Sequence, residues 1–466
     1  ANQVLEMRYD DSRPAPQAAA KSESRASYLE ESSAVLNVKY KHKEWDKIDF
    51  YRQRTLPHKF SQSGPGIAAG DVNGDGLEDF IIGGSSQFNA ALFLQKGDGT
   101  FAMSEIVKIN EKKSEDEGLL LFDADNDNDL DLYVVSGSYE GEAGESHYQD
   151  RLYLNNGNGK FKLTTDALPS TIASGSCVRA ADYDADGDMD LFVGGRVVAG
   201  SYPLAPDSYL LRNDGGKFTD VTDQAAKDLR QAGMITDGLW TDFDGDNKLD
   251  LVVVGEFMPV MLFKNSGAGL TKVSKSGLEN NVGWWNSISG ADFDKDGDTD
   301  YIIGNLGSNN YYNISESTPL RVYAKDFDLN GSLDAIVSCY FKSEEGDMRE
   351  YPVHFWDELN SQSPKFRNQF SSYKQYGAAS MDILLKPYDT TGMLVLKANY
   401  SLTSYAENLG NSHFALRPLP KPVQIAPVNG IVATDINSDG NLDVVMTGND
   451  YGNEVFSGRY DASTGI

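Results

Sequence analysis

Acidic and amide side chains recur at positions 1, 3, 5 and 9 of a short loop in seven places along the chain. Three quartets are Asp71, Asn73, Asp75 and Asp79; Asp123, Asp125, Asp127 and Asp131; and Asp182, Asp184, Asp186 and Asp190. Two more are Asp242, Asp244, Asp246 and Asp250; and Asp292, Asp294, Asp296 and Asp300. The last two are Asp326, Asp328, Asn330 and Asp334; and Asp435, Asn437, Asp439 and Asp443. Oxygens on odd-numbered residues of a tight loop converge on one point, and a hard cation such as Ca²⁺ takes about six to eight oxygens. Position 7, occupied by Leu77, Asp129, Asp188, Lys248, Asp298, Ser332 and Asn441, is expected to add its backbone carbonyl to each site. Gly76, Gly187, Gly297, Gly331 and Gly440 at position 6 permit the sharp turn, and Asn128 and Asn247 also tolerate the left-handed backbone. Without a cation, two carboxylates ~4 Å apart repel by about 4 kcal/mol at an effective dielectric of ~20, so solvated turns are a poor account of these loops. Up to seven Ca²⁺ ions are expected, as structural ligands rather than catalytic ones.

The same spacing opens an EF-hand, which also needs a bidentate Glu at position 12 and flanking helices. Position 12 is instead Ile82, Val134, Val193, Val253, Ile303, Val337 or Met446, each inside an apolar, β-branched run that reads as a strand. A tandem nonapeptide roll is excluded because successive loops begin 52, 59, 60, 50, 34 and 109 residues apart. A strand enters each loop and a strand leaves it. Asn/Gly-rich hairpins follow at Leu92 to Phe101, Leu152 to Phe161, Tyr209 to Phe218 and Met261 to Leu270. Four short strands per repeat of roughly fifty residues predict an all-β, seven-bladed β-propeller with a calcium loop in each blade; a linear solenoid is the lesser alternative.

Two places break the period. Only 34 residues separate Asp292 from Asp326, so the outer strands of unit five are expected to be abbreviated or irregular. Unit six is stretched by an insertion over about 340–394, after which a hairpin resumes around Leu396 to Phe414. Pro364 followed by Phe366, Phe370 and Tyr373 predicts a helix near Pro364 to Tyr376, covering a flank of blade six. Arg349, Lys365, Arg367, Lys374 and Lys386 place positive charge in the insertion, which could dock an acidic neighbour. Residues 1–34 read as a tail or linker and 35–466 as the propeller. Val35 to Phe60 is expected to supply strands to the last blade and close the ring.

The remaining composition excludes more than it assigns. Seventy Asp and Glu against 41 Lys and Arg give a net charge of −29, which repels a nucleic-acid backbone. No run approaches the ~18 apolar residues of a membrane helix. Cys177 and Cys339 read as two buried free thiols, too few for a disulfide framework. The five histidines, His42, His58, His147, His354 and His413, show no metal-ligand spacing, and no nucleophile elbow, Walker loop or dinucleotide motif appears. His58 reads as structural.

The loops, their following strands and the Asn/Gly hairpins together resemble the FG-GAP or VCBS repeats of integrin α-subunit propellers and their bacterial relatives. The resemblance covers about Val35 to Ile466. Leu56-Pro-His, Gly283-Trp-Trp-Asn and Gly458-Arg-Tyr-Asp resemble a bacterial subgroup of surface proteins associated with ASPIC/UnbV modules, and Ala1-Asn-Gln-Val-Leu looks like the final strand of such a module. What the resemblance implies is a non-catalytic, calcium-rigidified scaffold for a protein partner, extracellular or on the bacterial cell surface and associated with an outer-membrane complex. The alternative expectation is glycan handling, as a lectin or a polysaccharide lyase, with Trp284, Trp285, Tyr311 and Tyr312 as stacking aromatics. The reading of those four that needs no ligand is blade packing.

Overall fold

The computed structural model describes residues 30–106, 112–455 and 457–463. Most of the expected tail, with the Ala1-to-Leu5 segment, lies outside them. Among the described residues no helix is long and apolar enough to cross a membrane.

Four antiparallel sheets follow one rule. They are β1 (Ile67–Gly70), β2 (Asp79–Ile82), β3 (Ala91–Gln95) and β4 (Phe101–Glu105); β5 (Glu115–Phe122), β6 (Asp131–Gly137), β7 (Arg151–Leu154) and β8 (Lys162–Leu163); β9 (Gly175–Ala181), β10 (Asp190–Gly195), β11 (Tyr209–Asn213) and β12 (Phe218–Asp220), with a short α1 (Thr222–Ala225); and β13 (Met234–Thr241), β14 (Asp250–Pro259), β15 (Met261–Asn265) and β16 (Leu270–Lys272). An acidic loop joins the first strand to the second in each. The residue before the loop pairs with position 9, as in Gly70↔Asp79, Phe122↔Asp131, Ala181↔Asp190 and Thr241↔Asp250. The second strands β6, β10 and β14 are almost wholly buried, which is why they read as continuous apolar runs, whereas β2 alternates between buried and half-buried.

The fifth sheet departs from the rule. Its inner pair, β17 (Val282–Ala291) and β18 (Asp300–Asn305), is completed only after an excursion of about a hundred residues, by β23 (Ser404–Asn408) and β24 (Phe414–Pro418). Its outer strands are therefore displaced along the chain rather than abbreviated. The excursion is itself a sheet, β19 (Leu320–Lys325), β20 (Asp334–Lys342), β21 (Met348–Pro352) and β22 (Leu394–Ala398), with the sixth loop between β19 and β20. The hairpin expected over Leu396 to Phe414 is thus divided between two sheets. The seventh loop joins β25 (Val428–Thr434) to β26 (Asp443–Gly448), a two-stranded sheet.

First strands pack side by side in the succession β1, β5, β9, β13, β17, β25, and β14 also pairs with β17, fusing the fourth and fifth sheets. The nested sheet stands outside that succession and reaches β14 and β17 through β22. Its Leu320, Val322, Ala335 and Val337 share a core with Tyr139, Val197 and Leu306, which lie just beyond the ends of the second strands, away from the other loops. Seven equivalent blades are thus corrected to six sheets in succession and one nested sheet across their far end. Loop spacing could not show this, because a nested unit carries the same loop as its neighbours.

Val35 to Phe60 contributes no named strand. The Leu36 carbonyl accepts from Phe101 N–H at the edge of the first sheet, and Gln53 Nε2 donates to the Tyr202 carbonyl at 2.8 Å across the central core. The two ends of the succession are tied by Lys59 N–H to Gly452 O, Glu454 N–H to Pro57 O and an isolated bridge between His58 and Asn453. Closure by N-terminal strands is therefore corrected to a clasp of two backbone hydrogen bonds around one bridge, and Ile67 on β1 and Val432 on β25 remain 66% and 60% exposed.

The insertion is partly helical, with α2 (Trp356–Gln362), a 3-10 turn at Pro364–Asn368, α3 (Tyr373–Gly377) and α4 (Met381–Leu385). The single helix expected from Pro364 to Tyr376 is broken because Ser372 turns extended and caps α3 by accepting from Gln375 N–H. Phe366 and Tyr376 are buried with Phe327, Ile336 and Leu384, so the element packs on its own sheet. Cys177 and Cys339 are free and buried, as expected.

Candidate metal centres

Each loop is held open by its own first carboxylate. Asp71 accepts from Gly74 N–H and Gly76 N–H, both at 2.8 Å, and position 1 takes the position-6 N–H in all seven loops. Position 5 likewise accepts the position-7 N–H throughout, from Leu77→Asp75 at 3.0 Å to Asn441→Asp439 at 2.8 Å. These bonds turn the remaining oxygens toward one centre. Position 6 has positive φ everywhere, with Asn128 and Asn247 at 69° and 62°, as the sequence pattern requires. Position 4 does too, which the pattern did not reveal: Ala185, Lys295, Leu329 and Ser438 adopt φ of 60 to 66° there without being glycine or asparagine.

Ligand atoms of Asp123, Asp125 and Asp127 and of Asp242, Asp244 and Asp246 lie within 4.8 Å of one another. So do those of Asp182, Asp184 and Asp190 and of Asp292, Asp294 and Asp300. Oδ1 of the position-3 residues Asp125, Asp184 and Asp244 is buried with no hydrogen-bond partner among the described residues. Three equivalent orphaned oxygens, each aimed among other carboxylates, fit a hard cation. In loops one, six and seven the amide oxygens of Asn73, Asn330 and Asn437 accept backbone N–H groups at 2.7 to 3.0 Å, as aspartates at these positions do elsewhere.

Loop four has a local competitor. Lys264 Nζ on β15 reaches Asp244 and also Asp246 at 3.3 Å, and Lys248 Nζ meets Asp246 at 3.1 Å. Position 7 also does more than offer a carbonyl. The Asp188 side chain accepts from Gly215 N–H at 2.8 Å and from Asn126 of loop two, binding adjacent loops together.

Position 9 is a staple as well as a candidate ligand. Asp131 accepts from Ala124 N–H at 3.0 Å and Asn155 N–H at 2.8 Å, and Asp79, Asp190 and Asp250 repeat this, each linking loop position 2 to the third strand. Burial pushes the carboxyls of Asp131, Asp190, Asp250 and Asp334 up to about 7. A residue the sequence reading passed over completes the arrangement. Asn155, Asn213, Asn265 and Asn408 each donate from Nδ2 to the position-2 carbonyl of the preceding sheet: Val72, Ala124, Tyr183 and Phe243. The signal was present in the second to fifth sheets, where an Asn stands at the end of the third strand just before a glycine turn, whereas β3 of the first sheet ends in Gln95. In the nested sheet Lys365 Nζ takes that place, donating to the Phe327 carbonyl at 2.7 Å.

The aromatics behind the glycan expectation lie inside. Trp284, Trp285 and Tyr312 are 6%, 0% and 3% exposed, and only Tyr311 at 40% meets solvent. His58 is structural: its Nε2 meets Glu256 Oε2 at 3.2 Å, beside Arg196 at 2.8 Å and the Tyr202 hydroxyl on the other oxygen at 2.9 Å.

The FG-GAP-like repeat family matches residues 59–134, 135–193 and 242–303. Cartilage acidic protein 1 of Xenopus tropicalis is 30% identical over 233 residues, spanning 47% of this chain and 32% of the relative. The Mus musculus protein of the same name is 27% identical over 211 residues, 44% of this chain and 31% of the relative. The chain therefore spans about a third of the length of the curated relatives it matches. Among solved structures, the V. cholerae biofilm matrix protein Bap1 is similar at 12% identity and a TM-score of 0.34, over 87% of this chain and 79% of that one. The match to FG-GAP-like repeats thus lies over three segments, which carry the loops beginning at Asp71, Asp123, Asp182, Asp242 and Asp292.

Proposed function

We propose that the chain is a non-catalytic interaction scaffold for a protein partner, stabilised by Ca²⁺ in its acidic loops and working outside the cytoplasm. The observation that carries this reading is the recurrence of a buried, unpartnered position-3 carboxylate oxygen in loops two, three and four. Loops of this kind in extracellular modules bind Ca²⁺ at roughly 10⁻⁴ to 10⁻³ M, a range filled outside cells and not in cytosol. The side chains at the ligand positions would hold the ions, and each ion would supply charge neutralisation and rigidity. Residues 35–466 form the propeller-like unit, and its setting is a cell surface or an outer-membrane complex. Burial of Trp284, Trp285 and Tyr312 removes the main motive for glycan stacking.

The test is calcium titration by calorimetry with thermal unfolding in calcium and in chelator, run beside a lyase assay on uronic-acid polymers. Millimolar or tighter binding with a fall in Tm on chelation is expected, with no lyase turnover. Unchanged melting in chelator overturns the calcium reading, and turnover overturns the non-catalytic one.

A further inference from the structure

Away from the acidic loops, the extended segment 38–45 alternates in exposure. Val38, Tyr40, His42 and Glu44 are half-buried, and Lys39, Lys41, Lys43 and Trp45 are exposed. Residues two apart on an extended chain share a face, so Tyr40, His42 and Glu44 all point inward. Tyr40 packs edge-on against Phe93 of β3 at 5.8 Å, and the Lys43 carbonyl accepts from Ser85 Oγ at 2.6 Å. The segment is thus laid down beyond the far end of β2, away from loop one.

That face meets Glu115, the first residue of β5 and 2% exposed. Ligand atoms of His42, Glu44 and Glu115 lie within 4.8 Å of one another. His42 and Glu115 are oriented from behind. The Tyr40 hydroxyl meets His42 Nδ1 at 3.2 Å, leaving Nε2 to face Glu44 Oε1 at 2.5 Å. Ser86 N–H donates to Glu115 Oε2 at 2.8 Å. The second oxygen of Glu44, Oε2, is buried with no hydrogen-bond partner among the described residues. Among the described residues nearby, Lys112 and Arg151 both pair with Asp116, at 2.9 and 2.6 Å.

We propose that His42, Glu44 and Glu115 form a binding site for a nitrogen-accepting divalent cation of the Zn²⁺ class, which clips the N-terminal segment to the second sheet. One imidazole and two carboxylates suit borderline metals, whereas Ca²⁺ prefers an all-oxygen set such as the acidic loops provide. The hydroxyl behind the imidazole and the amide behind the carboxylate are the kind of outer contacts that orient metal ligands. His42 escapes sequence reading because its partner lies 73 positions away, on another element.

The experiment uses the untagged full chain with its loops saturated by Ca²⁺, and Zn²⁺ as the probe. Calorimetry is expected to show one Zn²⁺ site per chain. His42→Ala and Glu44→Gln, both on a segment outside any strand, each weaken it by more than about tenfold while leaving Ca²⁺ titration unchanged. Zn²⁺ should also slow proteolysis of the 30–48 segment in the parent chain and not in the variants. Absence of Zn²⁺ binding, or binding that both variants retain, overturns the proposal.

Discussion

Asn408 Nδ2 donates to the Phe243 carbonyl at 3.0 Å across 165 positions of sequence. The same amide also meets the Thr299 carbonyl of its own loop, so one side chain joins two neighbouring sheets. Because Asn155, Asn213 and Asn265 do the same work for earlier sheets, this bond identifies β23 as the third strand of the fifth sheet. Asn408→Ala leaves a buried carbonyl without its donor and should cost about 2–3 kcal/mol in denaturant unfolding with Ca²⁺ present. A loss below about 0.5 kcal/mol would show that the sheets hold together without the staple.

Calcium should not fill the loops evenly. Lys264 and Lys248 already offset charge in loop four, so this loop, with the amide-containing loops one, six and seven, should fill last. Lys264→Met is expected to tighten calcium binding there by about tenfold and to leave the other loops unaltered. Site-resolved titration by NMR, or by crystallography over a calcium series, reads this directly.

The ion pair beneath the nested sheet sets a pH window. Burial would lower the His58 pKa, yet the Glu256 charge and its hydrogen bond outweigh it, and the net direction is upward from 6.5. Glu256 moves the other way: burial raises it, but Arg196 and His58 bring it down to about 2 from 4.5. The His58 contribution is fully present below pH 6.5 and fades as pH rises through its folded value. The Glu256 contribution is present above pH 4.5 and fades as pH falls toward 2. The pair is therefore most stabilising between about pH 4.5 and 6.5, and His58→Gln should flatten the fall in stability above that window. An unchanged slope in the variant would assign the fall to other groups.

Leu329 at loop position 4 is 81% exposed with φ of 64°, a conformation that opposes its branched side chain. Loop two has Asn126 at that position. Leu329→Asn should raise stability by about 1 kcal/mol, measured by chemical denaturation at saturating calcium. A loss would mean the leucine makes a contact that the loop requires.

The loops were legible in the sequence because carboxylates crowded at fixed spacing have few physical explanations other than a cation. The strands around them were legible because burial on both faces writes a continuous apolar run, as in Leu251-Val-Val-Val254. Strand membership was not. The interval from Asp292 to Asp326 suggested a shortened unit, whereas Asp300 had its third-strand partner at Asn408, behind a whole sheet. Trp284 and Trp285 could be read as sugar platforms or as core, and only packing against Phe257 and Tyr400 decides for core. The His42 cluster was invisible for a different reason, since alternation in an extended segment gives its face but not what that face meets.

The nesting of one sheet inside another also fixes an order of events during synthesis. The first four sheets are each complete within a few dozen residues of their own acidic loop, so each can close as it leaves the ribosome. The fifth cannot, because Asp300 waits for Asn408, 108 residues later. At translation rates of about 5–20 residues per second, its inner hairpin stands with an unpaired edge for roughly 5 to 20 s. During that interval β18 is an open template that the emerging strands of the nested sheet must pass without pairing.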